Sequence, residues 1–191
     1  MRILFLGYID SPLVRYLATT DEVVATAERV SLEQATTCDF LVSYGYRYIL
    51  KADTLNRFSA RAINLHISYL PWNRGADPNL WSWIEDTPKG VTIHHIDEGI
   101  DTGDIIVQKL VAFSGEETLA SSYARLHEEM VATFIETWPR IRNGSAPRSV
   151  QGAGGSFHSS KDKRRIILRQ GWDTPVAELG ASSIAVRSIK D

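Results

Sequence analysis

The sequence predicts an α/β domain built on a doubly wound, mostly parallel and twisted sheet with helices on both faces. Three observations support this: an unbroken apolar run at the start, further strand-like runs alternating with helical ones, and a long amphipathic stretch near the end. Ile3 to Leu6 form the opening run, which stops at Gly7 and has the pattern of a central strand buried on both faces. Ser11-Pro12 then supplies an N-cap and a first-turn proline, and Leu13, Val14 and Leu17 follow at helical spacing. Glu22 to Ala25, Asp39 to Ser43 and Ala62 to Leu65 read as further strands. Val91 to Asp97 and Asp104 to Val111 read as two more, joined by the acidic, glycine-bounded loop Glu98-Gly99-Ile100-Asp101-Thr102-Gly103. From Ser114-Gly115-Glu116-Glu117, which has the form of a capping box, Leu119, Tyr123, Leu126, Met130, Phe134, Trp138 and Ile141 recur every three or four residues. That pattern predicts one long helix over the sheet, with Pro139 in its last turn and Asn143-Gly144 at its end.

The glycine-rich stretch Gly152 to Ser156 and the basic run Lys161 to Arg165 mark a change of composition. The expected organisation is therefore a catalytic domain over residues 1–150 and a tail over 151–191 packed on it, with a short helix signalled by Thr174-Pro175. An apolar share of 43% and a net charge of −2 are ordinary for a globular protein and give no global field to attract nucleic acid or an anionic membrane. Cys38 is the only cysteine, which excludes an intrachain disulfide and fits a reducing, cytoplasmic setting. No stretch approaches the roughly 18 apolar residues that a membrane helix needs.

The chemistry is concentrated in Ile63-Asn64-Leu65-His66-Ile67-Ser68-Tyr69-Leu70-Pro71. Strand alternation puts Asn64 and His66 on one face at a strand's carboxyl end, the place where open α/β sheets bind ligands. Asp101, in the loop between two later strands, can reach the same point. Acyl transfer to an amine requires a donor for the oxyanion, a base for the amine proton and a group to orient that base. A carboxamide, an imidazole and a carboxylate supply these. An imidazole titrates near neutrality, so His66 suits the acid/base role. Asn64 would donate to the oxyanion, and Asp101 would orient the ring. There is no Gly-x-Ser-x-Gly elbow, no Gly-x-Gly-x-x-Gly after the first strand and no Walker sequence.

At Asn64 to Pro71 and at Gly99-Ile100-Asp101-Thr102-Gly103-Asp104-Ile105, the sequence resembles the formyltransferase family that includes glycinamide ribonucleotide and methionyl-tRNA formyltransferases. The resemblance covers about Met1 to Ile141. It implies a Rossmann-like formyltransferase fold, N10-formyltetrahydrofolate as donor, and Asn64, His66 and Asp101 as catalytic residues. It also implies a pterin-holding loop at Ser43 to Leu50, with Tyr46, Tyr48, Ile49 and Leu50, closed on its other side by Asp97, Gly99 and Ile100. Within the family the chain is most similar to small bacterial sugar N-formyltransferases and to the formylation domain of linear gramicidin synthetase, through Leu70 to Pro78 and Gly154 to His158. That similarity implies a nucleotide-linked amino sugar as acceptor rather than tRNA, since no full tRNA-binding domain follows Ile141.

Trp72, Arg74 and Asp77 are the candidate substrate-binding residues. Arg74 can pair with a diphosphate bidentately or neutralise Asp77. His94 and His95 invite a metal reading with Asp97 and His66, but neighbouring strand residues point to opposite faces and cannot easily share one ion. The alternative enzyme is a metal-dependent hydrolase built on His66, His95 and Asp101. A binding module without turnover is the non-enzymatic alternative. Val107 to Phe113 and the segment after Gly171 are candidate homodimer surfaces.

Overall fold

A computed structural model describes residues 1–180, apart from the side chains of Arg164 and Arg165. In chain order the elements are β1 (Arg2–Gly7), α1 (Pro12–Leu17), β2 (Glu22–Thr26), α2 (Leu32–Thr36), β3 (Phe40–Tyr44), α3 (Ala52–Phe58) and β4 (Ala62–His66). They continue with β5 (Arg74–Gly75), α4 (Pro78–Ile84), β6 (Gly90–His95), β7 (Ile105–Leu110), α5 (Leu119–Arg142) and β8 (Phe157–His158).

Six strands form one sheet in the order β2-β1-β3-β4-β6-β7. β1 pairs in parallel with β2 and with β3, and β3 pairs in parallel with β4. β6 reverses direction: Ile96 N–H donates to the carbonyl of Ala62, and residue 94 falls opposite residue 64. β6 and β7 then make an antiparallel hairpin, with His95 N–H donating to the Asp104 carbonyl and Val111 N–H to the Lys89 carbonyl. The sheet is thus mixed and mostly parallel, as the alternation of elements predicts.

The chain divides into two compact units, and the first comprises Met1–His66, Ile93–Val107 and Val131–Gln151. Alternation along its strands gives it two apolar faces. Leu4, Leu6, Leu41 and Ala62 pack against Ala35 of α2, Phe58 of α3 and the buried thiol of Cys38. The neighbour of Leu41, Phe40, points the opposite way and meets the ring of Trp138 edge-on at 5.3 Å. Phe134 stacks on Trp138 at 5.2 Å and meets Tyr16 of α1 edge-on. Helices therefore cover both faces. Arg142, at the end of α5, pairs through two nitrogens with Asp21, at 2.7 and 3.0 Å.

The Asp21 carboxylate is buried, and its bonds to Arg142 hold it well below its ordinary value of 3.8. A carboxylate with a depressed folded-state pKa adds stability that is present above 3.8 and is lost as the pH falls through the lower, folded-state value. The expected result is that Arg142→Ala flattens the acid limb of the unfolding free energy between pH 4 and pH 2, measured by denaturant titration. An unchanged acid limb would remove this pair as its source.

The second unit comprises Ile67–Thr92, Gln108–Met130 and Gly152–Asp191, described as far as residue 180. Leu80 of α4, Leu119 and Leu179 form its core, with Trp83, Ile84, Ile166 and Leu168 packed on it. The tail is built into this unit. β8 pairs in parallel with β5, and His158 stacks on Trp81 at 3.9 Å. Gly155 sits at φ +90°, and a Cβ there would lie 2.0 Å from the carbonyl oxygen of Pro71, so only glycine lets the tail pass.

Two local expectations change. The cap of α5 is not Ser114 with Glu117 but Thr118 with Ser121: Ser121 N–H donates to the Thr118 hydroxyl at 3.1 Å, and Thr118 N–H to the Ser121 hydroxyl at 2.9 Å. Glu117 instead accepts from the Ser121 hydroxyl through its carboxylate and from Val176 N–H through its carbonyl. The expected short helix at Thr174-Pro175 is a single 3₁₀ turn, Val176–Glu178. A bridge between Thr118 and Pro175 and the bond from Leu119 N–H to the Thr174 carbonyl hold the preceding backbone extended.

Candidate active site

Asn64 and His66 lie at the carboxyl end of β4, on one face as the strand period requires. Asp101 faces both. The Asn64 side-chain amide donates to Asp101 Oδ1 at 3.0 Å, and His66 Nδ1 lies 3.6 Å from Asp101 Oδ2. The three expected catalytic groups thus converge, and the His66 and Asp101 side chains are only 8% and 12% exposed, which strengthens their electrostatic coupling.

A fourth group joins them. His94 Nε2 lies 3.2 Å from Asn64 Nδ2 and 3.4 Å from Asp101 Oδ1. Its Nδ1 lies 2.8 Å from the carbonyl oxygen of His95. A carbonyl only accepts, so Nδ1 carries a hydrogen, and in the neutral ring Nε2 is left to accept from Asn64. Both Asn64 N–H groups are then directed, one to the carboxylate and one to the imidazole. The sequence-based trio omits His94. Its signal lay in the register between β4 and β6, because antiparallel pairing that sets residue 96 against residue 62 puts residue 94 against residue 64.

The loop carrying Asp101 is held from several sides. Asp101 has φ +54°, a left-handed conformation uncommon outside glycine. Asp97 Oδ1 accepts from Gly99 N–H at 3.1 Å and from the Thr102 hydroxyl at 2.7 Å. A Cβ at Gly103 would lie 1.9 Å from the His95 carbonyl oxygen, so the loop returns to β6 only through a glycine. Gln151 Nε2 donates to the carbonyls of Asp101 and Gly103, at 2.8 Å each. Gln151→Ala is expected to lower turnover about tenfold by releasing two backbone carbonyls, each bond contributing roughly 1 kcal/mol. The melting temperature should fall by only several degrees, and unaltered turnover would remove Gln151 from the positioning of Asp101.

The segment expected to hold the pterin leaves β3 beside Asn64. Parallel register sets Ser43 beside Asn64 and Tyr44 beside Leu65, so the segment leaving β3 starts at the same sheet edge. Within it the Tyr46 hydroxyl donates to the Glu28 carbonyl and accepts from Val30 N–H, at 3.0 Å each, which makes it a tie between two loops. The Tyr48 ring lies edge-on to Tyr46 and under the Arg29 guanidinium. Leu50 packs on the core, whereas Ile49 is 78% exposed and Ile100 43%. Ile49 and Ile100 are thus the exposed aliphatic side chains among these expected residues. Asp97 and Gly99 are committed to the loop.

Trp72, Arg74 and Asp77 belong to the second unit. Trp72 is 37% exposed. Asp77 is paired with Lys163 at 2.6 Å rather than with Arg74, so the alternative in which Arg74 only neutralises Asp77 does not hold. Lys163 is a member of the basic run that composition alone reads as a solvated face. Arg74 lies on β5 opposite Phe157, and its buried Nε has no hydrogen-bond partner among the described residues.

A family model described as Formyl transferase matches residues 12–138. The chain belongs to the formyl transferase family. It is 32% identical over 142 residues to a methionyl-tRNA formyltransferase of Agathobacter rectalis, covering 74% of this chain and 46% of that protein. It is 33% identical over 134 residues to a dTDP-4-amino-4,6-dideoxyglucose formyltransferase of Mycobacterium tuberculosis, covering 65% of this chain and 57% of that protein. The chain thus spans about half the length of these relatives. Among solved structures it is similar to the formyltransferase PseJ of Anoxybacillus kamchatkensis, a complex with UDP-4,6-dideoxy-4-formamido-L-AltNAc and tetrahydrofolate. The identity is 47% and the TM-score 0.90, over 96% of this chain and all of that one. In this member of the family no described helix is long and apolar enough to cross a membrane.

Proposed function

We propose that this protein transfers a formyl group from N10-formyltetrahydrofolate to the primary amine of a nucleotide-linked amino sugar, with a UDP-linked 4-amino-4,6-dideoxy sugar as the first candidate. The observation that carries the reading is the convergence of Asn64, His66 and Asp101 at a strand's carboxyl end. The likeness to PseJ over nearly the whole chain supports the acceptor class.

In the reaction the amine lone pair attacks the formyl carbon, forming a C–N bond and a tetrahedral oxyanion. Collapse breaks the bond from that carbon to N10, which leaves protonated as tetrahydrofolate. His66 takes the proton that the amine loses and can return it to N10. Asp101 Oδ2 faces His66 Nδ1, which keeps the hydrogen on Nδ1 and leaves Nε2 as the base. Asn64 donates to the oxyanion by exchanging its bond to His94, since the bond to the charged carboxylate is the stronger of its two. Trp72, Arg74 and Asp77 remain the proposed sugar-nucleotide contacts, and the unpartnered Arg74 Nε supports a role toward an anionic ligand.

The test is incubation with N10-formyltetrahydrofolate and a panel of UDP- and dTDP-linked amino sugars, following tetrahydrofolate release and the mass of the nucleotide sugar. Formylation of a 4-amino sugar is expected. Formylation of an aminoacyl-tRNA with none of the sugars would replace this acceptor assignment.

A further inference from the structure

Away from the proposed catalytic groups, a cavity of about 530 Å³ opens in the first unit, at the amino ends of β3 and β4. Its lining includes Phe40, Arg61, His95, Ile106, Arg142 and Arg148, and neither Asn64, His66, His94 nor Asp101. Ligands of open α/β sheets gather at the carboxyl ends, so this cavity is not where the fold places its substrate.

Its chemistry is that of an anion site with an apolar floor. Phe40 and Ile106 are each 4% exposed and form the floor. Arg142 is committed to Asp21 through two nitrogens. Arg148 is bound to Asp104 through Nε at 2.6 Å, which leaves its two terminal nitrogens for another acceptor. Arg61 makes no ion pair among the described residues. His95 Nδ1 is buried and makes no hydrogen bond of good geometry, although the Ala60 backbone lies close enough to the ring to favour its charged form. Buried polar atoms in native structures are ordinarily well bonded, so a poorly bonded one beside a cavity has room for a further partner. Three guanidinium groups and the Met1 ammonium, which pairs with Asp21 at 2.7 Å, against the carboxylates of Asp21 and Asp104 leave net positive charge around the cavity, whose volume falls within the range of small-molecule sites.

We propose that this cavity is a second ligand site, which takes a small organic anion whose phosphate or carboxylate head pairs with Arg61 and Arg148 beside His95 and whose apolar body lies on Phe40 and Ile106. Arginine forks match both kinds of head bidentately. Burial and, next, the Arg148 guanidinium hold the His95 imidazole below its ordinary value of 6.5, against Asp104, while His94 adds to the lowering and the Ala60 backbone opposes it. An anion in the cavity offsets the Arg148 field and moves that value upward.

The experiment uses the full chain without folate or nucleotide sugar, so its outcome is independent of the formyl-transfer reading. Phenyl phosphate and benzoate are titrated against thermal unfolding, with benzyl alcohol as the body alone and inorganic phosphate as the head alone. The His95 imidazole resonances are followed by NMR across pH. Saturable stabilisation by at least one aromatic anion is expected, with little from benzyl alcohol and an upward move of the His95 midpoint. Which of the two stabilises more identifies the head group. Arg61→Ala should weaken binding about tenfold, the scale of a lost charge-assisted bond. Arg61 is exposed and unpaired, so this variant is expected to fold. Stabilisation by neither anion, equal stabilisation in Arg61→Ala, or an unmoved His95 midpoint at saturation would each overturn the proposal.

Discussion

His66→Ala is expected to lower kcat by about 10²- to 10⁴-fold, the range that a positioned general acid–base supplies. The imidazole stands at the mouth of β4, after Ile63 and Leu65 have already anchored the strand in the core. Its loss therefore removes a proton acceptor without opening the centre of the sheet. Thermal unfolding of the variant should remain cooperative and close to the parent. KM for the amino sugar should change much less than kcat, because proton transfer is made in the transition state and not in substrate binding. The check is steady-state formylation at saturating folate donor, together with a melting curve. A variant within threefold of the parent rate would remove His66 from the mechanism.

Asp101→Asn carries the second large effect, on the order of 10³- to 10⁴-fold in kcat, by analogy with the same change in a Ser-His-Asp triad. The substitution is chosen for the backbone: Asp101 has φ +54°, and asparagine is among the few residues that tolerate the left-handed region. Loop geometry is thus preserved while the chemistry changes. A carboxylate presents acceptors both to the Asn64 amide and to His66 Nδ1. An amide has only one acceptor. If its oxygen takes the Asn64 bond, its NH₂ faces His66 Nδ1 and turns that atom into an acceptor. The hydrogen then moves to Nε2, the atom that must act as base. Steady-state rates and the imidazole ¹⁵N shifts of His66 test both halves, and a near-parent rate would show that Asp101 orients nothing.

Much of this was legible in the residues because short-range rules apply there. Ile3 to Leu6 could hardly be other than a buried strand, and the two-residue period fixed Asn64 and His66 on one side of β4. Gly103 was visible as a turn residue, although its close approach to the His95 carbonyl was not. What could not be read depended on pairing between distant segments. His94 joins the site only because β6 runs against β4 with a particular register. Gln151 reaches Asp101 from 50 positions away. Tyr46 and Asp97 read as ligand-side residues in the sequence, yet their polar atoms are engaged in holding loops. The cap of α5 moved from Ser114 to Thr118 because the tail, through Thr174 and Val176, engages the backbone of Leu119 and Glu117.

In the proposed reaction, formyl transfer occurs at the carboxyl end of β4, among Asn64, His66 and Asp101. A structure of the protein with tetrahydrofolate and the formylated UDP-amino sugar tests it most directly. The formamide oxygen is expected within hydrogen-bond distance of the Asn64 amide, roughly 2.7–3.2 Å, with His66 beside the formamide nitrogen. Both ligands bound with the formamide well away from these side chains would contradict it.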